Sequence, residues 1–229
     1  MAKFSPNTLF ESVYHRLRSD IIDSKLTPDT KLRIEGLRKK YQISASPLRE
    51  ALNRLAGEGF VNVIGQRGFR VAPVSIDDLY DISRMRIQLE CEALSESIAK
   101  GDDMWESNII ASYHRLSKAE KMRESDFHAW EMCNNDFHKA LISACTSKWL
   151  LRFRDAIYEQ HKRYRLISTL VHNESRDIHN EHKAIKDATL ARDTKLACEE
   201  TKKHIQKTVG SMEQKLVYLE EEHQQKKVS

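Results

Sequence analysis

Apolar residues recur every three to four positions through "TLFESVYHRLRSDIIDSK", putting Leu9, Val13, Leu17 and Ile21 on one stripe and predicting a first helix. "LRIEGLRKKYQIS" supplies a short second helix. In "SPLREALNRLAGEGF" the stripe is Leu48, Ala51, Leu52 and Leu55, with Ser46 expected as N-cap and Pro47 at the first helical position. Gly57 and Gly59 end that helix. "VNVI-GQRG-FRVA" then alternates apolar and polar residues on both sides of a glycine-bounded turn, the pattern of a β-hairpin.

Beyond Pro73 the pattern changes. All four prolines lie at positions 6, 28, 47 and 73, and six of the seven glycines lie at or before Gly101. Breakers are nearly absent afterwards, and helical periodicity dominates. Six body helices are expected, near 76–100, 103–122, 125–145, 147–170, 174–191 and 194–222, separated by "KGDD", "RESD", "CTSK", "LVHN" and "LARDT". The fold class is therefore mainly α: a winged helix-turn-helix over residues 1–75, an all-helical bundle over 76–222, and a polar tail at 223–229 expected to fray.

Charge sharpens this division. Residues 1–75 carry 13 Lys and Arg against 7 Asp and Glu; the remainder carries 25 against 27. A basic head on a near-neutral body points to a phosphate-bearing partner. In a winged helix-turn-helix the third helix enters the major groove. Its first turn would present Ser44, Ser46 and Arg49; the hydroxyls suit phosphates or base edges, and Arg49 suits guanine or a phosphate. Gln66 and Arg67 lie at the wing tip, where Gly68 lets the backbone approach DNA. Cys91, Cys133, Cys145 and Cys198 sit singly in helical patterns, so reduced, packed thiols are expected rather than a disulfide framework or thiolate zinc site. No segment has eighteen consecutive apolar residues, and the N-terminus lacks a secretory core, so a cytoplasmic protein is expected.

"SASPLREALNRLAGEGFV…GQRGFRV" resembles the signature of GntR-type bacterial transcription regulators over roughly residues 9–73. The resemblance implies DNA contacts at Arg33, Ser44, Ser46, Arg49 and Gly68. Ala45 and Glu35 stand where the family commonly has arginine, which implies a weaker complex or a different half-site.

Ten histidines raise the question of a metal. The triplet Asp-Phe-His occurs at 126–128 and 136–138, but residues two apart on a helix differ by about 200°, so neither copy pairs its own carboxylate and imidazole. Asn134 and His138 do share a face. His182 lies eleven residues before Asp193 and His204 eleven after, so both stand at one height in an antiparallel hairpin. If the Asn134/His138 face packs on that hairpin, three imidazoles and an amide oxygen converge, a set suited to Zn²⁺ or Ni²⁺. Hydrogen-bonded structural histidines are the alternative.

The body resembles the all-helical FCD effector domain of the FadR subfamily, in its shorter, VanR-like form. The matching pieces are "DLYDISRMRIQLECEAL", N-x-x-F-H-x-A-L at 134–141, E-H-x-A-I-x-D-A at 181–188, and "LARDT". "GDDMWES", "HRLSKAE", "HKRYRLI" and "LARDTKLA" most resemble CsiR-type carbon-starvation regulators. The resemblance implies metal ligands Asn134, His138, His182 and His204, with Asn134 replacing the usual aspartate.

The expectation is a ligand-responsive repressor that binds a pseudo-palindromic DNA operator as a homodimer and is released by a small organic acid, such as a dicarboxylate, bound at or near the metal. Arg86 is the leading effector-binding candidate, its alternative being a surface i,i+4 pair with Glu90. Arg163 and Tyr164 follow. Two other readings stand beside this one. A metal-dependent hydrolase would have to use Glu131, seven residues before His138, and a constitutive architectural DNA binder would need no effector.

Overall fold

A computed structural model describes residues 9–65, 68–123, 125–168 and 176–228. Their contacts define two compact units. One comprises the described residues of Met1–Leu79, Tyr158–Val171 and Lys215–Ser229; the other comprises those of Tyr80–Ile157 and His172–Gln214.

The first unit begins with α1 (Leu9–Ile22), β1 (Lys31–Leu32), α2 (Ile34–Tyr41) and α3 (Ala45–Gly57). Val13, Leu17 and Ile21 of α1, Leu37 and Tyr41 of α2, and Leu48, Ala51, Leu52 and Leu55 of α3 are all buried. Leu9 departs from its expected stripe and is 73% exposed. β2 (Val61–Val63) and β3 (Phe69–Val71) form the expected hairpin. β3 also pairs with β1, Lys31 opposite Arg70 and Leu32 opposite Phe69. Sequence pattern gives no sign of β1, since two residues cannot show alternation. Leu32 falls in the segment expected to be second helix, which starts only at Ile34.

The helix-turn-helix bend is made at Gln42, whose φ of 55° is left-handed; its N–H donates to the Arg38 carbonyl. Ser44, not Ser46, is the N-cap of α3. Pro47 therefore stands third in the helix, where its missing N–H costs nothing, because the first four amides have no intrahelical acceptor.

The second unit is built on α4 (Ile76–Lys100), α5 (Asp103–Glu120), α6 (Phe127–Leu141), α7 (Lys148–Ser168), α8 (Ile178–Leu190) and α9 (Thr194–Val228); the start of α4 and the ends of α7 and α9 belong to the first unit. Asp102, Asp126 and Asp177 cap α5, α6 and α8 by accepting from Trp105, Ala129 and Asn180 amides. The core joins Leu94 and Ile98 to Trp105, Ile109, Leu116, Trp130, Phe137, Leu141 and Ile185. Gly101 is a packing requirement: a Cβ there would lie 2.1 Å from the Trp105 ring. Arg192, with φ 58°, turns the α8–α9 hairpin. α9 extends to Val228, past the helix bound of 222 expected from sequence.

Candidate DNA-reading face and histidine centre

Ser44, Ser46 and Arg49 project from the first two turns of α3 and are exposed, and Arg33 is exposed at the N-cap of α2. The basic character of this face comes from the sequence pattern itself, because the buried stripe of α3 turns the remaining positions outward. Glu35 is ion-paired with Arg38 at 3.0 Å, so the departure from a family arginine also occupies a neighbouring cation. Gly68 has φ 107° with open space where a Cβ would stand. A side chain would be strained there even though it would fit. Gln66 and Arg67, the expected wing-tip contacts, lie outside the described residues.

In the second unit α6, α8 and α9 each bring one histidine to a common point. The ligand nitrogens of His138, His182 and His204 all lie within 4.8 Å of one another, and all three residues are buried. Ring centroids are 4.7 Å apart for His182–His204, 5.3 Å for His138–His204 and 5.6 Å for His138–His182. Asn134, 3% exposed, lies one turn before His138 on α6. The two Asp-Phe-His copies separate as helical phase requires: Asp126 is a cap and His128 is exposed, while Asp136 is exposed and His138 buried.

Two carboxylates to which the sequence reading assigns no role orient the cluster. Glu120 Oε1 bonds His182 Nδ1 at 2.7 Å, while Oε2 bonds His179 Nδ1 at 2.7 Å. Glu181 Oε2 bonds His204 Nδ1 at 2.9 Å. Occupying Nδ1 fixes each ring and leaves Nε2 for a ligand. His182 Nε2 is buried and makes no hydrogen bond with the described residues. That atom and the all-nitrogen donor set fit a divalent metal of the zinc or nickel type.

Burial drives His138 and His204 well below the ordinary imidazole range. Neighbouring cationic groups push both in the same direction, and Glu181 opposes the shift at His204. His182 is also lowered by burial, against the opposing pull of Glu120. Glu181 is held low: burial alone would raise it, but His204 and Arg176 overcome that. Arg176 grips Glu181 through Nε and Nη2, and donates from Nη1 to Thr208 Oγ1 at 2.9 Å and from Nη2 to the His204 carbonyl at 2.9 Å. Its only sequence signal is its place five residues before the Glu181-His182 pair.

Arg86 is 1% exposed, so the expected surface alternative does not hold; its pair with Glu90 is internal. Glu90 Oε1 accepts from Arg86 Nε at 3.0 Å and from Arg154 Nη2 at 3.1 Å. Two guanidiniums thus share one buried carboxylate, although Arg154 Nη1 also reaches the half-exposed Asp155 at 3.1 Å. Both cations depress the His138 pKa, placing local positive charge beside the histidine centre.

Arg163 and Tyr164 are the further effector candidates. They belong to the first unit and hold the segment that follows the wing. Arg163 donates to the Ala72 and Pro73 carbonyls. Tyr164 donates to Asp78 at 2.6 Å and accepts from the Ser75 amide at 3.2 Å.

The GntR family of bacterial regulatory proteins matches residues 9–71, and the FCD domain matches residues 81–207. An uncharacterized HTH-type transcriptional regulator, BphR of Paraburkholderia xenovorans, is 41% identical, over 90% of this chain and 86% of its own. The transcriptional repressor GlaR of Escherichia coli is 37% identical, over 84% of this chain and 90% of its own. The solved structure of E. coli McbR/YncC superposes with a TM-score of 0.76 at 19% identity, covering 91% of this chain and 99% of that one, a likeness of fold. The chain belongs to the GntR family of DNA-binding transcription regulators and carries an FCD effector domain behind its helix-turn-helix.

Proposed function

We propose that the protein is a cytoplasmic repressor whose DNA affinity is set by a divalent metal and a small organic acid bound in the helical domain. The convergence of His138, His182 and His204, with carboxylates on two of their outer nitrogens, carries this reading. Asn134 is the fourth donor. A bound metal would supply a Lewis-acid anchor for a carboxylate. Asn134 brings no charge to balance such a cation, which suits an anionic effector, and Arg86 is the residue proposed to hold a carboxylate of that effector.

On the DNA side, Arg33, Ser44, Ser46, Arg49 and the wing with Gln66, Arg67 and Gly68 are the proposed contacts. Two copies of the chain reading a pseudo-palindrome is the arrangement such a module favours. That GlaR is a transcriptional repressor supports repression here. The hydrolase reading gains no support: Glu120 and Glu181 are engaged in holding imidazoles, and the matching relatives are regulators.

The test uses the full chain, loaded with Zn²⁺ or Ni²⁺ and dialysed. About one tightly held ion per chain is expected, with a rise in melting temperature on adding dicarboxylates and weaker operator binding in a mobility-shift assay. Protein that retains no metal and ignores every carboxylate would sink the proposal.

A further inference from the structure

The four cysteines are not equivalent. Cys145 is buried and bonds Glu96 at 3.0 Å, while Cys133 stands on α6. Cys91 of α4 and Cys198 of α9, 107 residues apart in sequence, meet where the two helices cross. Cys91 Sγ lies 3.6 Å from the Cys198 carbonyl oxygen, and Cys198 Sγ lies 3.6 Å from that of Cys91. This reciprocal contact means that each sulfur sits against the other residue's backbone. Ser95 adds a hydroxyl 3.5 Å from Cys198 Sγ, and that hydroxyl also donates to the Cys91 carbonyl at 2.7 Å. Both thiols are partly exposed, so a small oxidant can reach them. Neither residue is among the proposed DNA, metal or effector contacts.

We propose that Cys91 and Cys198 are a peroxide-oxidisable dithiol that closes into a reversible disulfide between α4 and α9. The chemistry is asymmetric. Cys198 is the favoured thiolate: the neighbouring Cys91 side chain lowers it, burial opposes the shift, and the Ser95 hydroxyl 3.5 Å away lowers it further. Cys91 correspondingly keeps its proton. A thiolate in such surroundings is the attacking form. The Cys198 thiolate attacks a peroxide, R–O–O–H. A sulfur–oxygen bond forms, the O–O bond breaks, and the alkoxide leaves, taking up a proton as the alcohol, or as water when R is hydrogen. Cys91 sulfur then attacks the sulfenic acid; the S–S bond forms, and hydroxide leaves and takes the Cys91 proton as water. Two thiols lose two electrons in all, and the peroxide gains them. A thiol reductant reverses the link by exchange. In a reducing compartment such a pair serves sensing rather than architecture.

The test treats reduced full-length protein with hydrogen peroxide, blocks remaining thiols, and maps peptides by mass spectrometry without reductant. A linked Cys91–Cys198 peptide pair is expected at doses that leave Cys145 reduced, and it should vanish on adding dithiothreitol. Cys91→Ser should leave a Cys198 sulfenic acid that dimedone traps. Cys198→Ser should leave Cys91 reduced. Because each variant could perturb the helix crossing, dimedone competition on the unaltered chain provides a second readout: adduct should accumulate at Cys198 at the expense of the disulfide. If Cys198 stays reduced while Cys145 oxidises, or if the link forms instead through Cys133 or between two chains, the proposal is overturned.

Discussion

The two units handle polar chemistry in opposite ways. The DNA-reading unit keeps its apolar stripe inward and displays Arg33, Ser44, Ser46 and Arg49 on the outside. The helical unit buries its chemistry: His138 and His182 are 0% exposed, Arg154 0% and Glu90 2%. An exposed reader tolerates change with little risk to folding, because its side chains are solvated whether or not DNA is bound. A buried centre must satisfy each polar group internally or lose stability. Function and folding are therefore separable in the first unit and entangled in the second.

The strongest way to break that contrast is to remove His138, His182 and His204 together by alanine. Metal retained after dialysis should fall to background, while salt-dependent binding to non-specific DNA, a property of the head, should stay unchanged. A head that also lost DNA binding would show the two units to be less independent than proposed. Next in size, Arg49→Ala should cost operator affinity about 1–3 kcal/mol, roughly 5- to 150-fold, measured by titration at fixed salt. The melting temperature should hardly move, because Arg49 is exposed.

Glu120→Ala addresses entanglement directly. It releases His182 Nδ1, and loss of such an outer partner lowers metal affinity by roughly 10- to 100-fold. Glu120→Gln should recover part of this, since its amide oxygen can still accept from the ring; competition with a chromophoric chelator reads both variants. Smallest is Asn134→Asp, which adds one ligand charge and should tighten metal binding by about tenfold. If tightening is absent, Asn134 is not a ligand and the centre consists of the histidines alone.

Legibility divides along the same line. In the head, periodicity and turn residues are local, so α1, α3 and the hairpin are readable from short windows. The miss there, β1, depends on pairing with β3 some forty residues away. In the body the histidine convergence is readable only because the α8–α9 turn puts His182 and His204 at equal heights, with His138 following from one helical face. Glu120 is 62 residues from the histidine it holds, and no periodicity connects them. Arg163 and Tyr164 look like ligand donors in sequence because they are polar and clustered; their bonds to the Ala72 and Pro73 carbonyls, the Ser75 amide and the Asp78 carboxylate are not visible there. The cysteine pairing was equally hidden, since single cysteines in separate helices say nothing about helix crossings.

Asn134 has a consequence for signalling logic. On the proposed reading, a dication is held by three neutral imidazoles and a neutral amide, and the carboxylates of Glu120 and Glu181 reach it only through the imidazole rings. The organic acid then supplies the missing anion, and each ligand raises the other's affinity by the same factor, as thermodynamic linkage requires. The domain would then work as a coincidence gate: neither metal nor acid alone fills it well, and the transcriptional response reports the product of the two concentrations rather than either one.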